Sequence, residues 1–500
     1  MVGAGTMGAG IAQLAVQAGA RCLLADPDAG ALERGLEAAR GRIERGVEKG
    51  RLRREDLGGL EGAADLSALR DAGLVIEAAP EDLGLKRDLF RELAEHVAGE
   101  CVLATNTSSL SVTALAAGVP GPERVVGMHF FNPPPLMKLL EVVAGERSGE
   151  AALARARATG EAMGKHVIDA ADGAGFLVNR CNRPFALEGL RLVEQRLATP
   201  EQVDRICRMA GGFKMGPFEL MDLVGVDVGF TISKSFFEQS FGEPRWRPSP
   251  LAARAVAAGR HGRKSGEGWY RYPGGPPPDP EPPEPGGGDG LVVIAGESEL
   301  AEELAEAAIG AGWDVAAPED AEGEVPELIV DCGAHESLLQ GGPQLLPCDA
   351  APLAAQDPGG PSAGFHLLPP FGRLAELTGS PTTAPATLAA AERFFGTLGM
   401  AAERVGDAPG LVLGRIAAQL VNEACFAVGE GVGSPADVDA GMVLGLNHPR
   451  GPMEWGDEIG AGQVLVLLTA LQEEYREERY RPAPVLLRAA RSGEPLRADP

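Results

Sequence analysis

Four polar residues in the first half of the chain, Ser108, His129, Glu141 and Asn179, are of the types needed to oxidise an alcohol. When a hydride leaves a carbinol carbon, the hydroxyl proton needs a base, and imidazole titrates in the right range. A carboxylate on the second ring nitrogen would fix the tautomer and stabilise the imidazolium. Serine and asparagine can hydrogen-bond the oxygen whose charge changes. Taken singly, each has a plainer alternative. A histidine in an apolar strand is commonly a core residue, Glu141 could be exposed or salt-bridged, and Asn179 could cap the next helix.

The neighbouring sequence predicts how these residues are held. "DAGLVIEAAPEDLGLKRDLF" reads as an apolar strand at Leu74–Ile76, followed by Glu77, Glu81 and Lys86 in a loop leading into a helix. "CVLATNTSSLSV" gives a strand running into Asn106, Thr107, Ser108 and Ser109. "RVVGMHFFNPPPLMKLLEVV" gives strand, loop, strand, with His129 ending the first and Glu141 inside the second. Side chains at the carboxyl ends of parallel strands converge on a cofactor crevice.

The chain opens with a cofactor signature. In "MVGAGTMGAG", Gly3, Gly5 and Gly8 have the spacing G-x-G-x-x-G around Thr6 and Met7. An Ala-rich helix is expected at Ala9–Ala18, then a strand, "RCLLADPD", closed by Asp26 eighteen residues after Gly8. The glycines permit a tight turn and close approach of a pyrophosphate, which the helix N-terminus attracts, while the terminal acid binds a ribose diol. A carboxylate there repels a 2′-phosphate, so NAD is expected over NADP. Only Met1 and Val2 precede the loop, where a whole strand is expected, so the reading frame is expected to begin upstream.

Composition limits the alternatives. The 500 residues carry a net charge of −26, which disfavours a nucleic-acid partner. No membrane-length apolar run is present, and neither a membrane span nor secretion is expected. The seven cysteines are scattered without a C-x-x-C pair, as expected for reduced thiols in a cytoplasmic protein rather than disulfides or a metal site. One region runs against the acidic balance. Eight basic residues lie between Arg34 and Arg54, among them Arg42 and Lys49, and read either as a solvated helix face or as a site for a polyanionic small molecule.

The chain also repeats itself. "MGPFELMD" at 215–222 recurs as "RGPMEWGD" at 450–457, "GFLVNR" at 175–180 as "GLVLGR" at 410–415, and Thr199-Pro200 as Ser434-Pro435, all at an offset of 235. Each Thr/Ser-Pro pair reads as an N-cap followed by proline in the first helical turn. The strand, loop and helix rhythm of the start returns at 291–320 with an offset of 293, so the second copy is shorter by about 58 residues. "GMHFFNPPP" is answered by "GFHLLPP", which pairs His129 with His366. Gly5 becomes Ser298, Gly8 becomes Ala301 and Asn179 becomes Gly414. Apolar pattern and caps persist while reactive side chains do not, which places any chemistry in the first half.

Together these stretches resemble the L-3-hydroxyacyl-CoA dehydrogenase family, with "GAGTMGAGIAQ", "VIEAAPEDLGLK", "ATNTSSLSV", "GMHFFNPPPLMKLLEVV", "GAGFLVNR", "MGPFELMDLVG" and "GRKSGEGWYRY" in order over residues 1–272. The resemblance implies that His129 is the base, Glu141 its orienting partner, Ser108 a ligand of the 3-oxygen, and Asn179 a substrate-positioning group. For NAD it implies Gly3, Gly5, Thr6, Met7, Gly8, Asp26, Ala78, Glu81, Lys86, Asn106, Asn132 and Lys264. Lys49 matches a CoA-contacting lysine, whereas Arg42 stands where relatives can have serine. The whole length resembles bacterial members of this size, some acting on 3-hydroxybutyryl-CoA or, in phenylacetate breakdown, on 3-hydroxyadipyl-CoA.

The expected fold is an α/β Rossmann domain at 1–167 and a helical domain at 168–272. A Pro/Gly-rich linker at 273–290 would then lead to a degenerate Rossmann-like segment at 291–395 and a second helical domain at 396–500. Because the helical domain mediates dimerisation in single-copy relatives, a monomer with pseudo-dimeric domains is expected, or else a homo-oligomer. A dehydrogenase of free sugar acids and a non-catalytic NAD-binding protein remain as alternatives.

Overall fold

The computed structural model describes residues 1–321, 323–333 and 342–498, in two compact units. The first comprises Met1–Cys181 and Ala427–Gly451. Its strands are β1 (Cys22–Ala25), β2 (Leu60–Ala63), β3 (Leu74–Glu77), β4 (Val102–Thr105), β5 (Val125–Phe130), β6 (Leu139–Ala144) and β7 (His166–Ala171). β3 to β7 lie side by side in chain order; β3, β4 and β5 are parallel, and β6 reverses against β5. β4, β5 and all of β6 but its last residue are buried, which is why they read as continuous apolar runs rather than alternating ones.

Val2 lies between β1 and β3, bridging Ala25 on one side and Glu77 on the other. Its N–H donates to Ile76 O (2.9 Å), its carbonyl accepts from Ala78 (2.8 Å), and the Met1 carbonyl accepts from Ala25 (2.8 Å). These two residues stand where the central strand of a dinucleotide-binding sheet runs, directly before the glycine loop.

Helices α1 (Thr6–Gln17), α2 (Ala29–Glu48), α3 (Leu83–His96), α4 (Val112–Ala116), α5 (Glu150–Ala162) and the single turn α6 (Val178–Cys181) complete the chain to Cys181. Asp28 and Asp82 cap α2 and α3 through the N–H groups of Ala31 (2.9 Å) and Leu85 (2.8 Å). α1 begins at Thr6, three residues before the expected Ala9, because Gly8 belongs to the first helical turn. A Cβ on Gly8 would strike the Gly3 carbonyl, so this glycine serves the crossing of helix and strand. Lys86, expected in a loop, lies in α3, and Asn179 lies inside α6 rather than capping a helix.

From the far end of the chain, the helix Pro435–Leu446 packs on β6, β7 and α6 within this unit. Ser434 caps it through the Asp437 N–H (3.1 Å), with Pro435 in its first turn.

The second unit comprises Asn182–Phe426 and Pro452–Pro500. It holds strands β8 (Leu291–Ala295), β9 (Asp314–Ala316), β10 (Leu328–Asp331), β11 (Gln344–Pro347), β12 (Ala363–His366), β13 (Leu374–Gly379) and β14 (Ala401–Arg404). Their order is β14-β13-β12-β11-β10-β8-β9, with β12 and β13 antiparallel and the other pairs parallel. The helix Pro200–Met209, capped by a reciprocal Thr199–Gln202 box, packs on β13. Gln202 and Arg205 both reach Glu403 on β14, at 2.9 and 2.7 Å.

Two expected boundaries shift, and one expected domain divides. The one after Val167 cuts β7, which runs on to Ala171 because its edge position tolerates the polar "DAAD" sequence. The one after Phe395 cuts a helix, Pro385–Thr397, and the second sheet ends at Arg404. Residues 396–500 do not form one body, since Ala427–Gly451 belongs to the first unit. The Pro/Gly-rich segment is pinned to its own unit. Arg208 grips Asp279 (2.5 and 2.8 Å), and the N–H groups of Gly286 and Gly288 donate to Thr397 and Ala311. All seven cysteines are buried, and no described helix is long and apolar enough to cross a membrane.

Candidate active site

The loop at the start of α1 is shaped for something outside the protein. Gly3 adopts φ +93°, and a Cβ there would lie 2.5 Å from the Ala78 carbonyl, so the chain itself demands that glycine. Gly5 differs: a Cβ there meets nothing within 4 Å. Gly5 and Thr6 are exposed, and no side chain caps α1, so its first N–H groups are offered outward. At the end of β1, Asp26 accepts the N–H groups of Ala4 (2.8 Å) and Asp28 (2.9 Å), which fix its carboxylate beside the loop. An open glycine, an uncapped helix start and a fixed acid fit a dinucleotide. Gly5→Val is therefore expected to leave folding intact and weaken NADH binding at least tenfold, about 1.4 kcal/mol. Fluorescence titration measures the affinity, and a thermal melt checks the fold; unchanged affinity would disprove this role for the loop.

β5 and β6 pair so that His129 faces Glu141 across the antiparallel ladder. His129 Nδ1 and Glu141 Oε2 are 2.6 Å apart; the carboxylate is fully buried and the imidazole nearly so. The other carboxylate oxygen, Oε1, accepts the N–H groups of Leu177 (3.1 Å) and Val178 (3.0 Å), where the chain turns into α6. Two backbone dipoles thus hold the carboxylate that holds the imidazole. Phe131 and Phe176 pack on the ring at centroid distances of 4.6 and 5.9 Å. Asn179 follows Val178 directly, so the turn that orients Glu141 also carries the fourth polar residue of the set.

The "NTSS" loop is organised by Glu81. Its Oε1 accepts from the hydroxyls of Thr107 (2.5 Å) and Ser109 (2.9 Å) and from the Ser108 N–H (3.3 Å). Burial works to raise the Glu81 carboxyl, but the Thr107 hydroxyl, Lys86 and the Ser109 hydroxyl outweigh it and hold it below its ordinary value. The Ser108 hydroxyl has no protein partner among the described residues. Asn106 Oδ1 accepts the Phe130 N–H (2.9 Å), tying the end of β4 to the strand that carries His129.

Other expected residues are placed differently. Lys86 is 1% exposed, with its ammonium 2.6 Å from Glu77, 3.3 Å from Glu81 and 3.2 Å from the Ala79 carbonyl. It is committed to internal partners, so it shapes the loop from beneath and presents no charge outward. Ala78 packs its carbonyl on Gly3, and Asn132 is exposed. Lys49 is exposed just beyond α2, whereas Arg42 is drawn inward to Gln13 (2.8 Å). Lys264 belongs to the second unit, where it pairs with Asp227 at 2.7 Å. Among the described residues no group could hold a metal ion. Sequence reasoning missed the Leu177 and Val178 N–H groups, since a backbone donor leaves no mark in residue identity, and it missed Thr107 as the partner of Glu81.

The second unit contains the same register without the same contact. His366 faces Glu376 across β12 and β13, and Glu376 accepts the N–H groups of Val412 (2.8 Å) and Leu413 (3.0 Å). Yet His366 Nδ1 is 4.0 Å from Glu376, and its Nε2 instead lies 3.2 Å from Asp349. A Cβ on Gly414 would lie 2.5 Å from the His366 ring, so the imidazole occupies room that a larger residue there would need. Burial pushes Glu376 up to about 8 and His366 down. Ser298 caps its own helix and donates to the Cys332 carbonyl (3.0 Å). The neighbouring cavity of about 490 Å³ is lined by Glu299, Glu303, Asp349 and Glu458, which would repel phosphate.

The chain is similar to known proteins over nearly its whole length. The family model for the NAD binding domain of 3-hydroxyacyl-CoA dehydrogenase matches residues 1–173, and the one for its C-terminal domain matches 175–272 and 410–499. A 3-hydroxyadipyl-CoA dehydrogenase of Escherichia coli K12 is 35% identical over 98% of this chain and 96% of its own. A 3-hydroxybutyryl-CoA dehydrogenase of Mycobacterium tuberculosis H37Rv is 40% identical over 54% of this chain and 97% of its own. A crystal structure of 3-hydroxybutyryl-CoA dehydrogenase from E. coli K12 superposes with a TM-score of 0.83 at 33% identity, covering 98% of each chain. With both family domains matched and a relative of the same length and architecture, the chain belongs to the 3-hydroxyacyl-CoA dehydrogenase family of NAD-dependent oxidoreductases.

Proposed function

We propose that the chain interconverts (S)-3-hydroxyacyl-CoA and 3-oxoacyl-CoA at the site built on β4, β5, β6 and α6. The observation that carries this reading is the relay from the Leu177 and Val178 N–H groups through Glu141 to His129 Nδ1. NAD, when bound, supplies the hydride acceptor. Glu141 occupies Nδ1, so His129 meets the substrate through Nε2, taking the 3-hydroxyl proton during oxidation and returning it during reduction. The Ser108 hydroxyl, without a protein partner, hydrogen-bonds the 3-oxygen, and Asn179 holds the acyl group beside it. Gly3, Gly5, Thr6, Met7, Gly8 and Asp26 hold the cofactor, Ala78, Glu81, Asn106 and Asn132 complete its setting, and Lys264 is a further candidate contact. Lys49 meets the CoA phosphates.

We further read residues 291–500 as a decayed duplicate of the first half. Support comes from the matching register of β12 with β13, the second match to the C-terminal family domain, and the broken His366–Glu376 contact. Such a chain carries its own pseudo-dimer partner, so it would serve as a monomer or as a unit of a homo-oligomer. The seven buried thiols suit a cytoplasmic setting.

The substrate is taken to be short, 3-hydroxybutyryl-CoA or the dicarboxylic 3-hydroxyadipyl-CoA, as in the names of the relatives. NADH consumption with acetoacetyl-CoA and with 3-oxoadipyl-CoA tests this. Turnover of either is expected, and the larger kcat/KM assigns the acyl group; a folded, NADH-binding protein inert to both would overturn the proposal.

A further inference from the structure

We propose that residues 430–445, from the far half of the chain, are a positioning element for the Glu141–His129 pair; this rests on the reading of that pair as the catalytic machinery. The segment belongs to the first unit and touches the back of the site at five points. The Val432 carbonyl accepts the Ala171 N–H at 2.8 Å, joining the segment to the end of β7. Glu430 Oε2 takes the buried Arg180 guanidinium at 2.7 Å, one residue beyond Asn179. A Cβ on Gly433 would lie 2.5 Å from Leu177 Cδ2, and one on Gly441 would lie 2.6 Å from Val178 Cγ2. A Cβ on Gly445 would lie 2.7 Å from Leu139 Cδ2 and 3.3 Å from the Phe131 ring.

The residues so approached are those that set the pair. Leu177 and Val178 supply both N–H groups that hold Glu141, and Phe131 packs on the imidazole. Three glycines therefore occur where the segment presses on the backing of the site; a methyl at 433 or 445 meets a leucine methyl that can turn aside, whereas one at 441 meets Val178. The closest approach at 441 is to a β-branched side chain, which is stiff at χ1 and cannot swing away. The strain passes to the backbone of α6. Catalytic geometry tolerates little of this, since a misplacement of about 1 Å typically costs a hundredfold.

The ion pair repeats the point in charge. Arg180 is nearly sequestered while Glu430 is half-exposed, so Glu430 anchors a buried cation of α6 from the surface side. Neither residue touches the reacting atoms, and both act through α6.

Gly441→Ala is the test, read in two ways. The first is turnover: kcat is expected to fall about tenfold with KM for the thioester within a factor of about two, because the carboxylate is displaced without loss of a substrate contact. Val178→Ala, which keeps the N–H but removes the obstructing methyls, is expected to restore kcat when combined with Gly441→Ala.

The second readout needs no substrate. NMR of nitrogen-labelled histidine at one fixed pH reports the His129 ring nitrogens, whose charged partner among the described residues is Glu141 on β6, with Phe131 and Phe176 on its other sides. Withdrawing Glu141 weakens the hydrogen bond at Nδ1, so the Nδ1 resonance of the variant is expected to move away from its wild-type position, with the double variant returning toward it. A folded Gly441→Ala protein with an unchanged Nδ1 resonance and unchanged kcat would overturn the proposal, as would a double variant no better than the single. Wild-type silence toward every thioester would defeat the reading of the reaction instead, and the Nδ1 resonance would still decide this one.

Discussion

His129→Gln is expected to lower kcat for acetoacetyl-CoA reduction by about 10²–10⁴, the range for losing a positioned acid–base group. Glutamine keeps a polar side chain of similar reach in a nearly sealed site, so packing beside Phe131 and Phe176 is little disturbed. What is lost is the proton carrier, together with the charge-assisted contact to Glu141 at 2.6 Å. NADH affinity should be unchanged, because the glycine loop and Asp26 make no contact with the imidazole. The corresponding change at His366 provides the control. His366 has no hydrogen bond to Glu376 at 4.0 Å, and His366→Gln is expected to leave kcat within a factor of about two. Steady-state kinetics of both variants check this, and comparable losses from the two would mean that the second half takes part in the chemistry.

The largest expected effect on stability lies away from the site, at Glu188. This carboxylate is fully buried in the second unit, 2.5 and 3.1 Å from two nitrogens of Arg415, 2.7 Å from Arg191 and 2.9 Å from the Tyr480 hydroxyl. Glu188→Ala leaves two buried guanidinium groups without their counter-charge, and breaking a buried pair on one side typically costs about 3–5 kcal/mol. A shift of that size should be plain in urea unfolding, and a loss below about 1 kcal/mol would show that the arginines find other partners. The pH dependence follows from the same cluster. Burial alone would raise the Glu188 carboxyl, but Arg415 and Arg191 outweigh it and hold it at about 2 against an ordinary 4.5. Its contribution to stability is therefore complete above pH 4.5 and is lost as pH falls from there toward 2.

Much of the candidate site was legible because the chemistry proposed for it resides in side-chain identity. Gly3, Gly5, Gly8 and Asp26 announce a dinucleotide loop by type and spacing, and His129 and Glu141 lie on two adjacent apolar runs whose antiparallel pairing brings them opposite each other. What escaped was carried by backbone or by distance along the chain. The N–H groups that hold Glu141 could belong to any residues at 177 and 178. Lys86 reads as an exposed cation until β3 and α3 enclose it against Glu77. The polar end of β7 resembles a loop because an edge strand need not be apolar. The packing of the helix Pro435–Leu446 on β6 and β7 lies beyond any local pattern, since it joins segments separated by most of the chain. The repeat was visible, but a repeat alone does not tell which copy of a helix packs on which sheet.

The central claim is that the first half reduces the 3-oxo group of a CoA thioester through His129. It is tested most directly by following NADH consumption by the purified chain with acetoacetyl-CoA and, in parallel, with free acetoacetate. The account predicts steady turnover of the thioester and none of the free acid at equal concentration, because Lys49 and the CoA moiety contribute the binding energy that positions the 3-oxygen at Ser108. Equal rates with both, or turnover of the free acid alone, would contradict it and identify a dehydrogenase of small free acids.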